Sequence, residues 1–323
     1  MKQNRGVFME VVTLGETMVL FNPDSAGPLR YAHNFNMSIA GAESNVSIAL
    51  ARLEHNVGWI SRLGNDEFGR YIKAVIRGEG VDVSRVSIDE KHQTGLLFKE
   101  QFAHANPNIY YYRKHSAASS LSVLDIDESY IASSKILHIT GITLALSQSA
   151  REAVYKAIDI AKRNNVIVSF DPNIRLKLWT IDEAKPILLD VAKKADIIFP
   201  GIDEGRLLLG NEDYKEITKE FLGMGCKIVA TKVGKKGCFV SDGSEEKFVE
   251  GYVIEKTVDT VGAGDGFAAG FLSGYLREKS LYDCAKLANA VGAMATLVKG
   301  DIEGFPTLTQ VNEFMGITDY IDR

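Results

Sequence analysis

The chain has 323 residues, 46% of them apolar and 24% charged, with a net charge of −5 and a pI near 5.8. That composition supports a full apolar core, in about two domains or one large α/β domain with an insertion, and argues against a nucleic-acid or anionic-membrane surface while leaving room for a local basic pocket. The three cysteines (Cys226, Cys238, Cys284) are widely spaced and form no metal pattern, which suggests a reducing, cytoplasmic compartment; Cys226 and Cys238 sit in apolar, strand-like runs and are expected to be buried thiols, and no apolar run is long enough to span a bilayer.

In chain order, Met1 to Glu10 is polar, so no signal peptide is expected. Val11 to Leu14 reads as a short strand ending at Gly15-Glu16. Residues 19–36 hold a turn cluster, Asn22 to Pro28, flanked by short candidate strands. Gly41-Ala42-Glu43-Ser44-Asn45 leads into Val46, Ala49, Leu50 and Leu53, a clear helix face. A strand is expected at 57–60 and a helix through Phe68, Tyr71, Ile72, Val75 and Ile76, stopped near Gly78 and Gly80. Residues 94–113 return to strand texture and, with 19–36, are expected to form a small sheet outside the main layer.

From there strands and helices alternate: strand 136–140, helix 148–164, strand 166–170, helix 182–194, strand 197–199, helix 213–223 and strand 228–231. Such alternation implies a parallel sheet covered by helices on both faces, with ligands beyond the carboxyl ends of its strands. The chemically unusual residues follow strand ends: Gly141-Ile142, Asp171-Pro172-Asn173, Glu204 and Lys232-Val233-Gly234. A hairpin near 237–256 and a second apolar helix at 281–297, carrying Asn289, complete the reading.

The most telling stretch is Asp259-Thr260-Val261-Gly262-Ala263-Gly264-Asp265, a small-residue turn opening an amphipathic helix through Phe267, Phe271, Leu272 and Tyr275. Helix N-termini present free N–H groups and partial positive charge, so Gly262 to Gly264 form a natural phosphate seat. A carboxylate there repels phosphate unless a hydroxyl lies between them, giving its proton to Asp265 while it attacks phosphorus. At a helix N-terminus the charged form of Asp265 is expected to be favoured. Other nucleotide and catalytic signatures are missing: no G-x-x-x-x-G-K-[ST] loop, no G-x-G-x-x-G after the first strand, no H-x-x-x-H and no G-x-S-x-G. Arg113 and Arg175 are candidate anion forks.

These motifs together resemble the PfkB (ribokinase-like) sugar kinases. Residues 259–270 are similar to that family's C-terminal signature, Ala40 to Val46 to its N-terminal substrate motif, Gly58 to Gly69 to its second glycine block, and Lys232 to Gly237 to its nucleotide-side loop. The similarity runs from Gly15 to about Phe314. Within the family, Tyr111 to Lys114, Ser116 to Ser119, Asp171 to Arg175 and the Gly300-Asp301 pair resemble the 2-keto-3-deoxygluconate kinase subgroup.

The resemblance implies a three-layer α/β/α sandwich with a mostly parallel central sheet, built from residues 1–18, 37–93 and 114–323, and a discontinuous β lid from 19–36 and 94–113. It implies ATP-dependent phosphorylation of the terminal hydroxyl of 2-keto-3-deoxygluconate, with fructokinase- or ribokinase-type activity as the alternative and a non-catalytic sugar-acid or nucleotide sensor as a reading from another class. Asp265 would be the base and Gly262, Ala263 and Gly264 the anion hole. Gly41, Asn45, Tyr111, Arg113, Ile142, Arg175 and Asp301 would line the sugar-acid site. Asn173, Lys232, Gly234, Gly237 and Asn289 would flank ATP. Mg²⁺ would accompany ATP with Glu204 in its outer sphere, and K⁺ is a further candidate ion. A homodimer through the lid is expected, because a small isolated sheet has exposed edges. An acidic substrate would also answer the arginines, since a buried guanidinium without a counter-charge costs about 3–5 kcal/mol. Two positions depart from the family pattern: Leu97 stands where some members carry tyrosine, and the Asn-x-x-Glu motif reads Gly201-Ile202-Asp203-Glu204.

Overall fold

The computed structural model describes residues 8–102 and 105–318. The chain opens with β1 (Val11–Leu14), β2 (Met18–Pro23), β3 (Phe35–Ala40), α1 (Ala42–Arg52), β4 (Val57–Gly64), α2 (Glu67–Gly78) and β5 (Val86–Asp89). A hairpin of β6 (Leu96–Phe102) and β7 (Ala105–Tyr112) follows, then α3 (Glu128–Ala132), β8 (Ile136–Thr140), α4 (Gly141–Leu146), α5 (Gln148–Arg163), β9 (Ile167–Asp171), α6 (Ile181–Ala192) and β10 (Ile197–Ile198). The last part comprises α7 (Ile202–Leu209), α8 (Tyr214–Gly223), β11 (Ile228–Lys232), β12 (Gly237–Ser241), β13 (Glu246–Glu250), α9 (Ala263–Leu276), α10 (Leu281–Ala295) and α11 (Leu308–Phe314). Side-chain caps set several helix starts: Asp66 accepts from the Gly69 N–H at α2, and Thr180 with Glu183 makes a reciprocal capping box at α6.

The main sheet has nine strands in the order β13-β12-β11-β10-β9-β8-β1-β4-β5. From β11 to β5 every pairing is parallel; β12 and β13 add an antiparallel edge. Adjacent residues on one strand point to opposite faces. Val11, Ile136, Ile197 and Ala230 accordingly pack with residues of α1, α2, α9 and α10, while Val12, Leu137, Ile198 and Val229 pack with α5, α6 and α8. Two apolar layers therefore sandwich the sheet, an α/β/α architecture as the alternation implied. β1 lies between β4, on the side the chain visits first, and β8, where the later strands begin. That reversal of winding opens a crevice at the carboxyl ends of the strands.

A second sheet, ordered β3-β2-β6-β7, stands outside this layer. Its period-2 pattern divides it. Met18, Leu20, Leu97, Ile109 and Tyr111 cluster on one face. Phe21, Phe35, Phe98 and Tyr112 make stacked and edge-to-face contacts with one another. β3 runs to Ala40, four residues beyond the expected limit at 36, and so feeds directly into α1.

The sequence reading also passed over α4, α7 and β5, all short. α7 is two turns long, capped by Glu204 and closed by left-handed Gly210, too brief for a helical period to register. All three cysteines are buried and unpaired, and burial pushes each thiol up to about 12. Among the described residues no helix is long and apolar enough to cross a membrane.

Candidate active site

A cavity of about 990 Å³ lies beyond the carboxyl ends of the parallel strands, roofed by the Met18, Leu20, Leu97, Ile109 and Tyr111 face of the second sheet. Its wall brings together most of the residues singled out from the sequence: Gly41, Asn45, Tyr111, Arg113, Ile142, Asn173, Arg175, Glu204, Lys232, Gly234, Gly262, Gly264, Asp265 and Asp301.

At its floor the chain turns through Gly262 into α9. Gly262 has φ +79°, and a Cβ there would lie 2.4 Å from the Asp301 carbonyl oxygen, so only glycine fits. This turn brings Gly262 and Gly264 onto the cavity wall and places Asp265 in the opening turn of α9. Asn45, in the first turn of α1, donates to Asp265 Oδ2 at 2.8 Å. Gly41 precedes α1 as its cap residue, and Ile142 sits in the first turn of α4, its N–H donating to Thr140 Oγ1. Three helix starts thus converge on one crevice.

The electrostatics depart from the expectation for Asp265. Burial lifts its carboxyl to about 7. The Asn45 hydrogen bond, Arg175 and Lys232 pull it down, and Asp171 pushes it further up. Asp301 is likewise raised to about 7, chiefly by burial, with Lys99 offsetting the nearby carboxylates. Lys232, at the end of β11, donates to Asp171 Oδ2 at the end of β9 across 2.7 Å.

Several assignments change. Arg113 is not a free clamp. Its guanidinium is buried and ion-paired with the buried Glu16 carboxylate, with Nε 2.7 Å from Oε2, and Glu16 also accepts from Ser116. Its counter-charge is therefore internal, and the argument that it demands an acidic ligand fails. Arg175 sits in the loop after β9, exposed at the cavity rim.

Glu204 is half-buried with both oxygens accepting backbone N–H groups, Oε2 from Gly201 at 2.7 Å and Oε1 from Ile174 at 3.0 Å, and desolvation raises its carboxyl. Those bonds make it a strut between α7 and the Arg175 loop rather than an open ligand. Among the described residues no group of three or more His, Cys, Asp or Glu could hold a metal ion. The donor set therefore does not build a protein cage for Mg²⁺.

Asn289 lies away from the cavity wall. Its amide donates to the Val249 and Glu250 carbonyls and ties α10 to β13. Gly237 opens β12 opposite Glu250 and is likewise off the wall, while Ala263 falls between two wall-forming glycines. Sequence reasoning gave no role to Glu16 or Lys99 and noted Asp171 without naming its partner Lys232. Lys99 shares the inward face of β6 with Leu97, and a lysine on an otherwise apolar strand face was the available signal.

A model described as the pfkB family carbohydrate kinase matches residues 9–308. The chain belongs to that family. This PfkB kinase is 40% identical over 310 residues to the 2-dehydro-3-deoxygluconokinase of Bacillus subtilis (strain 168), covering 95% of each chain. It is 35% identical over 318 residues to the enzyme of the same name from Thermoproteus tenax, covering 97% of this chain and 96% of that one. Its fold matches the crystal structure of an E. coli ribokinase II candidate in complex with ATP and Mg²⁺, with a TM-score of 0.89, 29% identity, and coverage of 96% of this chain and 100% of the other. A PfkB kinase is an ATP-dependent phosphotransferase to a sugar hydroxyl.

Proposed function

We propose that this kinase transfers the γ-phosphoryl group of ATP to the terminal hydroxyl of 2-keto-3-deoxygluconate, giving 2-keto-3-deoxy-6-phosphogluconate. The observation that carries the reading is the Asp265 carboxylate, set in the first turn of α9 beside Gly262 and Gly264 and oriented by Asn45. The names of the Bacillus subtilis and Thermoproteus tenax relatives support the choice of sugar acid.

In this reading the hydroxyl donates to Asp265 and its oxygen attacks phosphorus while the carboxylate takes the proton. The amides of Gly262 to Gly264 stabilise charge on the transferring group; losing one comparable fixed donor costs about 10²–10³ in rate. Arg175 faces the acid head from the rim. Tyr111, Ile142, Gly41 and Asp301 shape the sugar pocket, and Asn173, Lys232 and Gly234 lie towards the nucleotide. Bound with the nucleotide, Mg²⁺ would supply neutralisation of phosphate charge, and no carboxylate cluster among the described residues is assigned to hold it. The second sheet acts as a lid that excludes water as a competing acceptor. Its aromatic outer face, with Tyr112 and Met37 exposed, supports a homodimer through that sheet, which light scattering at micromolar concentration tests.

The deciding experiment is ADP release with ATP and Mg²⁺ over a panel of sugar acids and neutral sugars, in potassium, sodium and tetramethylammonium salts. 2-Keto-3-deoxygluconate should give the highest kcat/KM, and Asp265→Asn should lose about 10³-fold or more in kcat with ATP binding kept. Faster turnover of fructose or ribose would replace the substrate assignment. An Asp265→Asn variant near wild-type rate would remove the base.

A further inference from the structure

The loop that forms the anion seat carries an ion pair that the chemistry above does not use. Lys99 projects from the inward face of β6 in the second sheet, and its ammonium lies 2.5 Å from Asp259 Oδ2. Both side chains are nearly shut off from solvent, at 5% and 11% exposure. The other oxygen of Asp259 accepts the Val261 N–H at 3.2 Å, one residue before Gly262. The Val258 and Asp259 amides are anchored in turn to the Thr296 carbonyl. Across the cavity, Lys177 of the Arg175 loop donates to the Ile109 carbonyl of β7. The second sheet is therefore fastened to both rims of the site, and on the α9 side the fastening is a buried charge pair.

Charge explains why an ammonium stands there. Asp259, Asp265 and Asp301 crowd the place where an anionic phosphoryl group would be held, and Lys99 is the cation facing them from the second sheet. An apolar pair of similar volume would serve stability as well or better, since buried ion pairs often gain nothing over hydrophobic contacts. We propose that Lys99 is a positioning residue for phosphoryl transfer. It holds Asp259, and through it the Val261–Gly262 turn, in the geometry that aims the α9 amides, and it offsets the surrounding carboxylates only while the second sheet is seated. Seating of that sheet and readiness of the anion seat are thereby one event.

This rests on the kinase reading above, and the test separates the two. In Lys99→Met, kcat should fall about 30-fold or more, below the full loss of a direct donor because Lys99 acts through the loop. KM for the sugar acid should change less than about threefold, because Lys99 acts on the phosphoryl seat rather than on the sugar. Lys99→Arg should recover most of kcat, and millimolar methylammonium should raise kcat of Lys99→Met without affecting wild type. Should Lys99→Met not fold, Asp259→Asn is expected to show the same kcat loss at unchanged sugar KM. A kcat within threefold of wild type, an equally damaged Lys99→Arg, or a sugar KM rising in step with the loss of kcat overturns the proposal. A wild-type enzyme silent on every acceptor overturns the kinase reading instead. Lys99 is then judged by ATP affinity, expected about tenfold weaker in Lys99→Met and overturned by equal affinity.

Discussion

Replacing Asn45 by alanine tests the electrostatic account of the base most directly. Asn45 Nδ2 donates to Asp265 Oδ2 at 2.8 Å, and this bond favours the charged carboxylate against burial, the main cause that leaves the group at about 7 with the bond in place. A hydrogen bond to a charged acceptor is worth about 1.5–3 kcal/mol, and one pKa unit is about 1.4 kcal/mol, so its loss should raise Asp265 by about 1–2 units. The acidic limb of kcat/KM for the sugar, which reports the free enzyme, should sit near 7 in wild type and move to about 8–9 in Asn45→Ala. At pH 7 that predicts a loss of about 5- to 50-fold, largely regained above the new limb. The assay is ADP release across pH 5.5–10 at low sugar and saturating ATP. A limb that stays near 7 while the rate falls uniformly at every pH would show that Asn45 acts by touching substrate, and would refute its role in setting the charge of Asp265.

Other outcomes follow from the same geometry. Arg175→Leu should raise KM for the sugar acid by about tenfold with KM for ATP little changed; equal rises in both would refute the rim-clamp reading. Gly262→Ala should destabilise the fold by about 2 kcal/mol or more in urea titrations and abolish turnover, because φ +79° and the Asp301 carbonyl both oppose a Cβ. Asp265 and Asp301 are both lifted from 3.8 to about 7, so the folded state binds more protons than the unfolded chain between those values. Their stabilising contribution is full below about pH 4 and is lost as pH rises through 7. Asp265→Asn should therefore gain melting temperature relative to wild type as pH goes from 5 to 8, and a constant difference would contradict the raised carboxyl.

Much of the fold was legible because repetition carries it. Alternating apolar strands and amphipathic helices from 136 onward imply a parallel sheet whatever the details. The candidate base was legible too, because Asp259 to Asp265 combine backbone freedom, small size and charge in seven contiguous residues. Arg113 shows where such reading ends. Its sequence neighbours are tyrosines, and nothing near it announces Glu16, 97 positions away, as its partner. Asn289 shows the same limit: the family resemblance set it beside ATP, and its amide holds two carbonyls of β13.

The sequence by itself determined the class of fold, the family, and the turn proposed as the phosphate seat, since each depends on local spacing or contiguous motifs. Only the tertiary structure decided which charges stand alone. Pairing, burial and pKa depend on side chains from distant segments meeting in a medium that solvates them poorly. Whether Asp265 is ionised near neutrality, whether Arg113 is free, and whether a lysine of the second sheet guards the anion seat are all set by that three-dimensional convergence.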